Sequence, residues 1–261
     1  MKITAIIPAH NEEQNIERCV KSVLWCDEVW VLWSGTDKTG ELAEKLGAKV
    51  IKRKSGNGFE EVQKSINWAI ERVKTEWILR IDADEEVTPE LKKEILEVIK
   101  QKNGVCAYGI PRNQFFWGGF FKGGDWYYDK LVRLFKKGKA KYDPIVPVHE
   151  QFKVDGEVGY LKNRLNHYSH PTLAIAVRKF NFYTDLESTM INIPRGKAVV
   201  NMFFRPVYVF ARWFFYHHGY RDGLRGFVAG AMRGWYEFLV YAKYLEKNKS
   251  SEPIVGEFLS P

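Results

Sequence analysis

Two carboxylates stand two residues apart at the end of an apolar run. Asp82 and Asp84 follow the run 77–81, which is suited to a buried strand. Side chains alternate along an extended segment, so both carboxylates can face one side while Ala83 faces the other. Because like charges repel, the pair favours a divalent ion, Mg²⁺ or Mn²⁺, which keeps positions for water and substrate phosphates. The alternative interpretation is a solvated acidic turn before the helix that Thr88 caps.

Strand and helix patterns alternate through the first hundred residues. Short apolar runs predict strands, and apolar residues at helical spacing predict helices, at 3–7 (strand), 11–24 (helix), 28–33 (strand), 38–46 (helix), 48–52 (strand), 59–73 (helix), 77–81 (strand) and 88–99 (helix). This alternation predicts an α/β fold in which a mostly parallel sheet is flanked by helices. Ligands of such sheets bind at the carboxyl ends of the strands, where His10, Trp33 and Asp82 are expected to lie together.

The composition excludes several classes of protein. Of the 261 residues, 45% are hydrophobic and 15% are aromatic, so the chain is neither disordered nor collagen-like. Three cysteines are too few for a disulfide scaffold, and their odd number fits a reducing cytosol. The net charge of +8 indicates a phosphate-bearing partner or anionic lipid, and nucleic acid is not among the partners that we expect.

Several segments in a fixed order resemble one enzyme family. Segments 3–13 and 81–85 are similar to those of family-two inverting glycosyltransferases, which have the GT-A fold. Later segments are similar to the lipopolysaccharide-core β-1,4-glucosyltransferase branch of that family: 110–118, 123–129, 131–135 and 148–150. The resemblance covers most of the chain. It implies a Rossmann-like α/β fold and transfer of a sugar from a nucleotide-diphosphate sugar, with a UDP-sugar as the default donor.

The resemblance also assigns roles around the predicted metal site. Asp84 would bind the ion, and Asp82 would lie near the ribose or the metal. The nucleotide pocket would be formed by residues that follow the first and fourth predicted strands: Pro8, Ala9, His10, Glu12, Asp82 and Ala83.

Cations and imidazoles elsewhere in the chain could complete this site. The candidates for steering phosphates are Lys64, Arg112 and Arg133, since lysine and arginine suit phosphate oxygens. The candidates for a further metal ligand are His149, His167 and His170. The alternatives are solvated surface charge for the cations and a structural role for each histidine.

The chain departs from the family pattern at the end of the second predicted strand. The segment 33–39 is one residue shorter than in the family, and Trp33 replaces the aspartate that typically contacts the nucleobase. An indole could stack on the base or fill the pocket instead. Trp33 is therefore a candidate donor-binding residue, and the identity of the nucleotide is left open.

Sugar transfer to a hydroxyl needs a carboxylate that takes the acceptor's proton on the face opposite the leaving group. Glu150 is the first candidate because it matches the position that family members use, in the turn 147–150, where partial burial would raise its pKa. Asp129 is the second, because it follows 117–128, an aromatic segment with glycines that could close over the acceptor. The alternatives are a surface carboxylate for each residue and an aromatic loop that packs on the core.

The C-terminal third changes character after a helix predicted at 171–190. Segment 206–218 is nearly all apolar or aromatic with cations around it, but it is too short to span a bilayer. This pattern favours an amphipathic helix that lies on an anionic membrane surface. We therefore predict two domains, 1–170 with the GT-A fold and 171–261 as a helical region for membrane attachment. A soluble helical subdomain and a hydrophobic dimer interface are the alternatives.

Together these observations predict a metal-dependent inverting glycosyltransferase in the cytoplasm, peripheral on the inner face of the cytoplasmic membrane. Its acceptor would be a glycolipid such as lipopolysaccharide core. Two other classes fit part of the pattern. One is a nucleotidyl or phosphoryl-group transferase, which would use the same aspartates without Glu150. The other is a catalytically silent protein that binds sugar nucleotides, for which Trp33 is the hint.

Overall fold

The computed structural model describes residues 1–53, 59–101, 103–142 and 152–248. It contains two compact units, the first formed by 1–114 and 128–168, and the second by 115–127 together with the chain from 169 onward. These units differ from the predicted domains mainly at 115–127, which joins helices that lie far from it in sequence. The division into 1–170 and 171–261 stays a prediction.

The strands of the described residues form one large sheet and a separate two-stranded sheet. In chain order the elements are β1 (Ile3–Ala9), α1 (Ile16–Val23), β2 (Glu28–Trp33), α2 (Thr39–Lys45), β3 (Lys49–Lys52), α3 (Phe59–Arg72), β4 (Trp77–Arg80), β5 (Glu85–Val87), α4 (Pro89–Val98), β6 (Ala107–Phe116), β7 (Gly119–Phe120), β8 (Lys130–Lys136), β9 (Ala140–Tyr142), β10 (Phe152–Val154), β11 (Val158–Tyr160) and β12 (Leu165–His170). The main path of the sheet has the order β3-β2-β1-β4-β8-β6-β12-β5. Its first four strands are parallel, as the sequence predicts, and β8 pairs antiparallel with β4.

Both faces of the parallel strands are covered by helices, which explains why these strands are continuous apolar runs in the sequence. All of β1 is buried except the half-buried Pro8. Ile7 packs in a cluster with Val20 of α1, while its neighbour Ile6 packs on the opposite face with Ile66 of α3. A sheet that is covered on both faces needs apolar side chains at successive positions. The polar residues that follow each strand therefore mark the edge where the sheet meets solvent.

The N-termini of two predicted helices, α4 and α1, differ in whether the residue predicted to cap them does so. The predicted cap at α4 is confirmed, because Thr88 Oγ1 accepts a hydrogen bond from the Leu91 amide at 3.2 Å. Asn11 begins the helix predicted at 11–24, and its residue type predicts an N-cap there. This prediction is wrong, since α1 begins at Ile16. Asn11 instead has φ 54°, a conformation that asparagine tolerates, and its Oδ1 accepts from the Thr36 amide at 2.9 Å. It thereby ties the turn after β1 to the turn after β2.

The second unit is mainly helical, with α5 (Leu173–Met190), α6 (Arg195–Ala211) and α7 (Gly223–Lys247). The sequence has glycines every four residues on α7, which predicts close helix packing, and the structure confirms it. A Cβ added at Gly234 would lie 2.8 Å from the Pro206 carbonyl oxygen. Asp222 directly precedes α7, and its residue type predicts an N-cap there. Its side chain makes no capping hydrogen bond and instead accepts from the Lys122 and Gly123 amides.

Helix α6 and the π-helical turn that follows it (Arg212–Tyr216) leave an apolar stripe exposed. Its members recur at helical spacing and are between 54% and 75% exposed: Val200, Phe203, Phe204, Val207, Tyr208, Phe215 and Tyr216. We call this set the aromatic stripe. Exposed apolar groups of this number are uncommon on a monomer and mark a surface for contact with a partner or a membrane. Within the described residues, no helix is both long enough and apolar enough to cross a membrane.

Candidate active site

The carboxyl end of β4 carries Asp82 and Asp84 in the turn that leads into β5. The Glu85 amide donates to the Asp82 carbonyl oxygen at 3.0 Å, which closes this turn. Ala83 between them is 3% exposed and packs in the core cluster beside α1. The two carboxylates have different neighbours, and these neighbours give them different roles.

Asp82 belongs to a network of charges. Its Oδ2 accepts from Arg80 Nη1 at 2.7 Å and from Arg133 Nη2 at 2.5 Å. Arg133 also donates to Glu85 Oε1 at 3.0 Å, and Glu85 Oε2 accepts from the Asp82 amide at 2.8 Å. Arg80, Arg133 and Glu85 are buried. The network fixes the Asp82 carboxylate in one orientation, and it places Arg133 as a partner of Asp82 and Glu85 rather than as solvated surface charge.

Glu85 is fully buried within this network. Burial raises the pKa of Glu85 to about 8, and the charge of Asp82 acts in the same direction. The guanidinium groups of Arg112 and Arg80 oppose this shift. The charged form of Glu85 therefore depends on the arginines that surround it.

Asp84 faces an imidazole from β12. His167 Nε2 lies 3.4 Å from Asp84 Oδ1, and the two side chains are 14% and 15% exposed. Strand pairing explains the approach, because β12 runs antiparallel to β5 with His167 opposite Glu85. The Tyr168 amide also donates to the Asp84 carbonyl oxygen at 2.8 Å. His167 Nδ1 is buried and has no hydrogen-bond partner among the described residues.

Carboxylate oxygen and imidazole nitrogen are both ligands that a divalent ion such as Mn²⁺ accepts, so Asp84 and His167 fit the predicted metal. Two protein ligands would leave positions for water and for phosphate oxygens. In the described part of the chain, no group of three or more histidine, cysteine, aspartate or glutamate side chains is arranged to hold an ion. Of the other candidate histidines, His170 stacks on Trp126 within the second unit, and His149 lies outside the described residues.

A cavity of about 160 Å³ opens at the carboxyl ends of β1 and β2. It brings together four of the residues predicted to bind the donor: Pro8, Ala9, His10 and Asp82. The remaining lining residues are Leu32, Ser34, Arg53, Glu61, Val62 and Ser65. His10 Nδ1 and Ser34 Oγ are 3.2 Å apart and share a hydrogen bond. The sequence interpretation missed Arg53 and Ser65, although the position of Arg53 immediately after β3 is a signal that could have identified it.

Trp33 does not line this cavity. Leu32 and Ser34 do, so the alternation of side chains along β2 directs Trp33 to the other face. There its ring packs so closely on Gly40 that an added Cβ would lie 2.6 Å from Cε3. Trp33 lines a second cavity of about 750 Å³, together with acidic residues such as Asp37. The contact of Trp33 with the donor stays a prediction, and it would have to be made outside the 160 Å³ cavity.

Two further donor-site candidates have local partners. Glu12 Oε2 accepts from Asn15 Nδ2 at 2.8 Å. Lys64 forms ion pairs with Glu60 at 2.7 Å and Glu61 at 3.2 Å on the half-exposed surface of α3. Neither residue lines the 160 Å³ cavity, although Glu61 does. Their roles in donor binding stay predictions.

The two candidate bases also differ. The Asp129 carboxylate is hydrogen-bonded by Arg112 Nη2, and Arg112 Nη1 lies 3.5 Å from Glu85 Oε1. Asp129 is thus connected to the charge network rather than being an isolated surface carboxylate. Glu150 lies outside the described residues, in the segment 143–151. The base assignment therefore stays a prediction.

The predicted acceptor loop lies in the second unit, and its aromatic residues are divided between core and surface. Phe121 is 2% exposed and packs with Trp213 in a small core, where Trp126 joins it. Trp117 is 39% exposed. The alternative of a loop packed on a core thus describes part of this segment, and its closure over an acceptor stays a prediction.

Comparison with known proteins places the chain in a family. The family model described as glycosyl transferase family 2 matches residues 4–166, which is more than half of the sequence. The chain belongs to this family. It is therefore a glycosyltransferase, and family membership favours glycosyl transfer over the nucleotidyl-transferase alternative.

Full-length relatives support the same assignment. The lipopolysaccharide core biosynthesis glycosyltransferase LpsC of Rhizobium meliloti is 26% identical over 266 residues, covering 100% of this chain and 98% of LpsC. An uncharacterized glycosyltransferase of Rickettsia bellii is 32% identical over 271 residues, covering 97% of this chain and 89% of the relative. S. aureus TarS in complex with UDP-GlcNAc superimposes with a TM-score of 0.52 at 13% identity, covering 96% and 92% of the two chains. The predicted α/β GT-A fold is confirmed.

Proposed function

We propose that this glycosyltransferase transfers a sugar, with inversion, from a nucleotide-diphosphate sugar to a hydroxyl of a glycolipid. The observation that carries the proposal is the pairing of Asp84 with His167. Asp84 lies two residues along the chain from Asp82, and Asp82 lines the 160 Å³ cavity. Parallel sheets bind nucleotides at the carboxyl ends of their strands, and a metal ion held there by two ligands would stabilise the charge of a diphosphate leaving group. The donor is taken as a UDP-sugar. The acceptor is taken as lipopolysaccharide core because LpsC carries that description.

The division of labour between the two aspartates follows from their neighbours. A divalent ion held by Asp84 and His167 would supply the positive charge that neutralises the departing diphosphate. Asp82 would contact the nucleotide instead, because Arg80 and Arg133 hold its carboxylate at the wall of the cavity. The carboxylate then needs no movement when the donor binds, which limits the entropic cost of binding.

Glu150 is proposed as the base that takes the acceptor's proton. Replacing Glu150 with glutamine should lower turnover by about 10²-fold or more and leave the affinity for UDP unchanged, since the amide keeps the size but accepts no proton. Turnover with a glycolipid acceptor and calorimetric titration with UDP measure the two quantities. Asp129→Asn is the matched comparison, because Arg112 already binds that carboxylate. Unchanged turnover in Glu150→Gln would contradict the assignment.

The aromatic stripe is proposed to lie on the inner face of the cytoplasmic membrane, which would bring the enzyme to a lipid-linked acceptor. Residues 195–221 contain five lysines and arginines and neither aspartate nor glutamate: Arg195, Lys197, Arg205, Arg212 and Arg221. Aromatic groups with cations around them suit the interface of an anionic leaflet. Arg205 and Arg212 are paired with Glu237 and Asp125, so the charge that would meet the leaflet is that of Arg195, Lys197 and Arg221, which a hydrophobic dimer interface would not need.

Replacing Phe203, Phe204 and Val207 together with serine should release the protein from anionic vesicles. Each side chain is more than 60% exposed, so the change removes apolar area from the proposed interface without creating a cavity. Sedimentation with vesicles of anionic and of neutral lipid measures binding. Phe182→Ser, at a 58% exposed position on α5, is the control and should bind as the wild type does. Full binding by the triple variant would refute this surface, and a change from dimer to monomer would indicate the dimer interface instead.

A further inference from the structure

Arg53 supplies a permanent positive charge to the 160 Å³ cavity. It follows β3 directly, and it lines the cavity together with Pro8, His10 and Asp82. The two carboxylates in the same lining, Asp82 and Glu61, suit the N–H groups of a ligand, whereas a guanidinium carries donors alone. Arg53 therefore favours a ligand that presents a hydrogen-bond acceptor atom to it in the cavity.

Three contacts hold Arg53 in place. Its amide donates to the Trp33 carbonyl oxygen at 2.7 Å, which continues the pairing of β3 with β2. Its Nε donates to Ser65 Oγ at 2.9 Å, and its guanidinium lies over the Trp68 ring with Cζ 4.3 Å from the ring centroid. Both partners belong to α3. A guanidinium oriented in this way recognises a ligand at a lower entropic cost than a mobile side chain would.

The order of the strands decides which part of a nucleotide Arg53 can contact. Asp84 follows β4, whereas Arg53 follows β3, and β1 and β2 lie between these strands. Three strand spacings of about 4.8 Å separate the two strand ends by about 14 Å. A diphosphate beside Asp84 thus lies far from Arg53, and the opposite end of the nucleotide points towards it. The cavity is also smaller than the roughly 300–1,000 Å³ of pockets that enclose a whole ligand, so it suits one ring.

We propose that Arg53 recognises the nucleobase of the donor by donating from its Nη atoms to a carbonyl oxygen at C4 of a pyrimidine. C4 is the ring atom opposite the ribose, so it reaches furthest towards β3. Uracil has a carbonyl oxygen there and cytosine an amino group, which would place N–H donors against N–H donors. The inference rests on the proposed function, and it assigns the choice of uracil to Arg53 rather than to Trp33.

Binding of uridine, UDP and CDP to the full chain tests this assignment, with Mn²⁺ present for the diphosphates. We expect the wild type to bind UDP at least tenfold more tightly than CDP. Arg53→Gln should weaken uridine and UDP by the same factor, about tenfold to a hundredfold, and should bring the affinities for UDP and CDP close together. Lys52→Gln is the matched control, because it removes the neighbouring charge from β3 at an exposed residue outside this cavity, and it should change neither affinity.

Uridine separates contact with the base from contact with the phosphates. A loss of UDP affinity in Arg53→Gln with unchanged uridine affinity would show a phosphate contact and overturn the inference. So would equal or tighter binding of CDP by the wild type. Failure of the wild type to bind any nucleoside diphosphate would count against the proposed function itself.

Ser65→Ala provides a second variant that keeps the Arg53 side chain. It removes the hydrogen bond that orients the guanidinium, so uridine affinity should fall in the same direction by a smaller factor, about threefold to tenfold. Arg53→Lys keeps the charge but not the planar fork, and it should lose most of the preference for UDP over CDP. Retention of the full preference by both variants would overturn the assignment to Arg53.

Discussion

Asp84→Asn is expected to lower turnover by about a thousandfold or more and to abolish Mn²⁺ binding at the donor site. An amide oxygen is a weak ligand for a divalent ion and carries no charge to offset the metal. The developing charge on the diphosphate would then lack several kcal/mol of stabilisation, and each 1.36 kcal/mol corresponds to about tenfold in rate. Transfer from a UDP-sugar and calorimetric titration with Mn²⁺ in the presence of UDP measure the two effects.

Matched variants make this result specific. Asp155→Asn removes a carboxylate of the same unit whose side chain is 85% exposed, and it should leave turnover and Mn²⁺ affinity unchanged. His167→Gln should weaken Mn²⁺ binding by about tenfold to a hundredfold, with a parallel loss of turnover, if its Nε2 is the second ligand. Wild-type Mn²⁺ affinity in Asp84→Asn would contradict the proposed metal site, and wild-type affinity in His167→Gln would remove His167 from it.

The sequence could predict those parts of the site that depend on local pattern. Apolar runs gave the strand ends, and the strand ends placed Pro8, His10 and Asp82 at one edge of the sheet, where the structure brings them to one cavity. Whether a residue after a strand faces one side or the other depends on the exact register. The segment after β2 is one residue short, and the alternation that places Ser34 in the cavity turns Trp33 away from it.

Partners that are distant in sequence could not be predicted in this way. His167 approaches Asp84 because β12 pairs with β5, and no local pattern specifies that pairing. Asn11 and Asp222 have the residue types of helix caps, yet both accept hydrogen bonds from segments far along the chain. Short polar side chains satisfy whichever backbone donors the tertiary fold brings to them, so a cap assigned from sequence competes with every loop that packs nearby.

Arg133 is expected to be the residue of this network whose loss costs the most stability. Its side chain is 3% exposed and binds Asp82 and Glu85 at once. Arg133→Met keeps much of the apolar volume of the side chain, but Asp82 and Glu85 each lose one ion-pair partner. Removing one member of a buried ion pair costs about 3–5 kcal/mol. We expect a loss near 3 kcal/mol, the lower end, because the pKa of Glu85 is already raised to about 8 and a proton can neutralise it.

Urea unfolding of the full chain measures the free energy of unfolding of this variant, and two further variants identify the cause of the loss. Arg72→Met removes an arginine that is 50% exposed, so it should change the free energy by less than about 0.5 kcal/mol. Adding Glu85→Gln to Arg133→Met should recover part of the loss at a pH above the raised pKa of Glu85, where that carboxylate is charged, and the amide keeps an acceptor for the Asp82 amide. If Arg133→Met unfolds at the wild-type urea concentration, the contacts of Arg133 with Asp82 and Glu85 add little to stability, and this prediction is wrong.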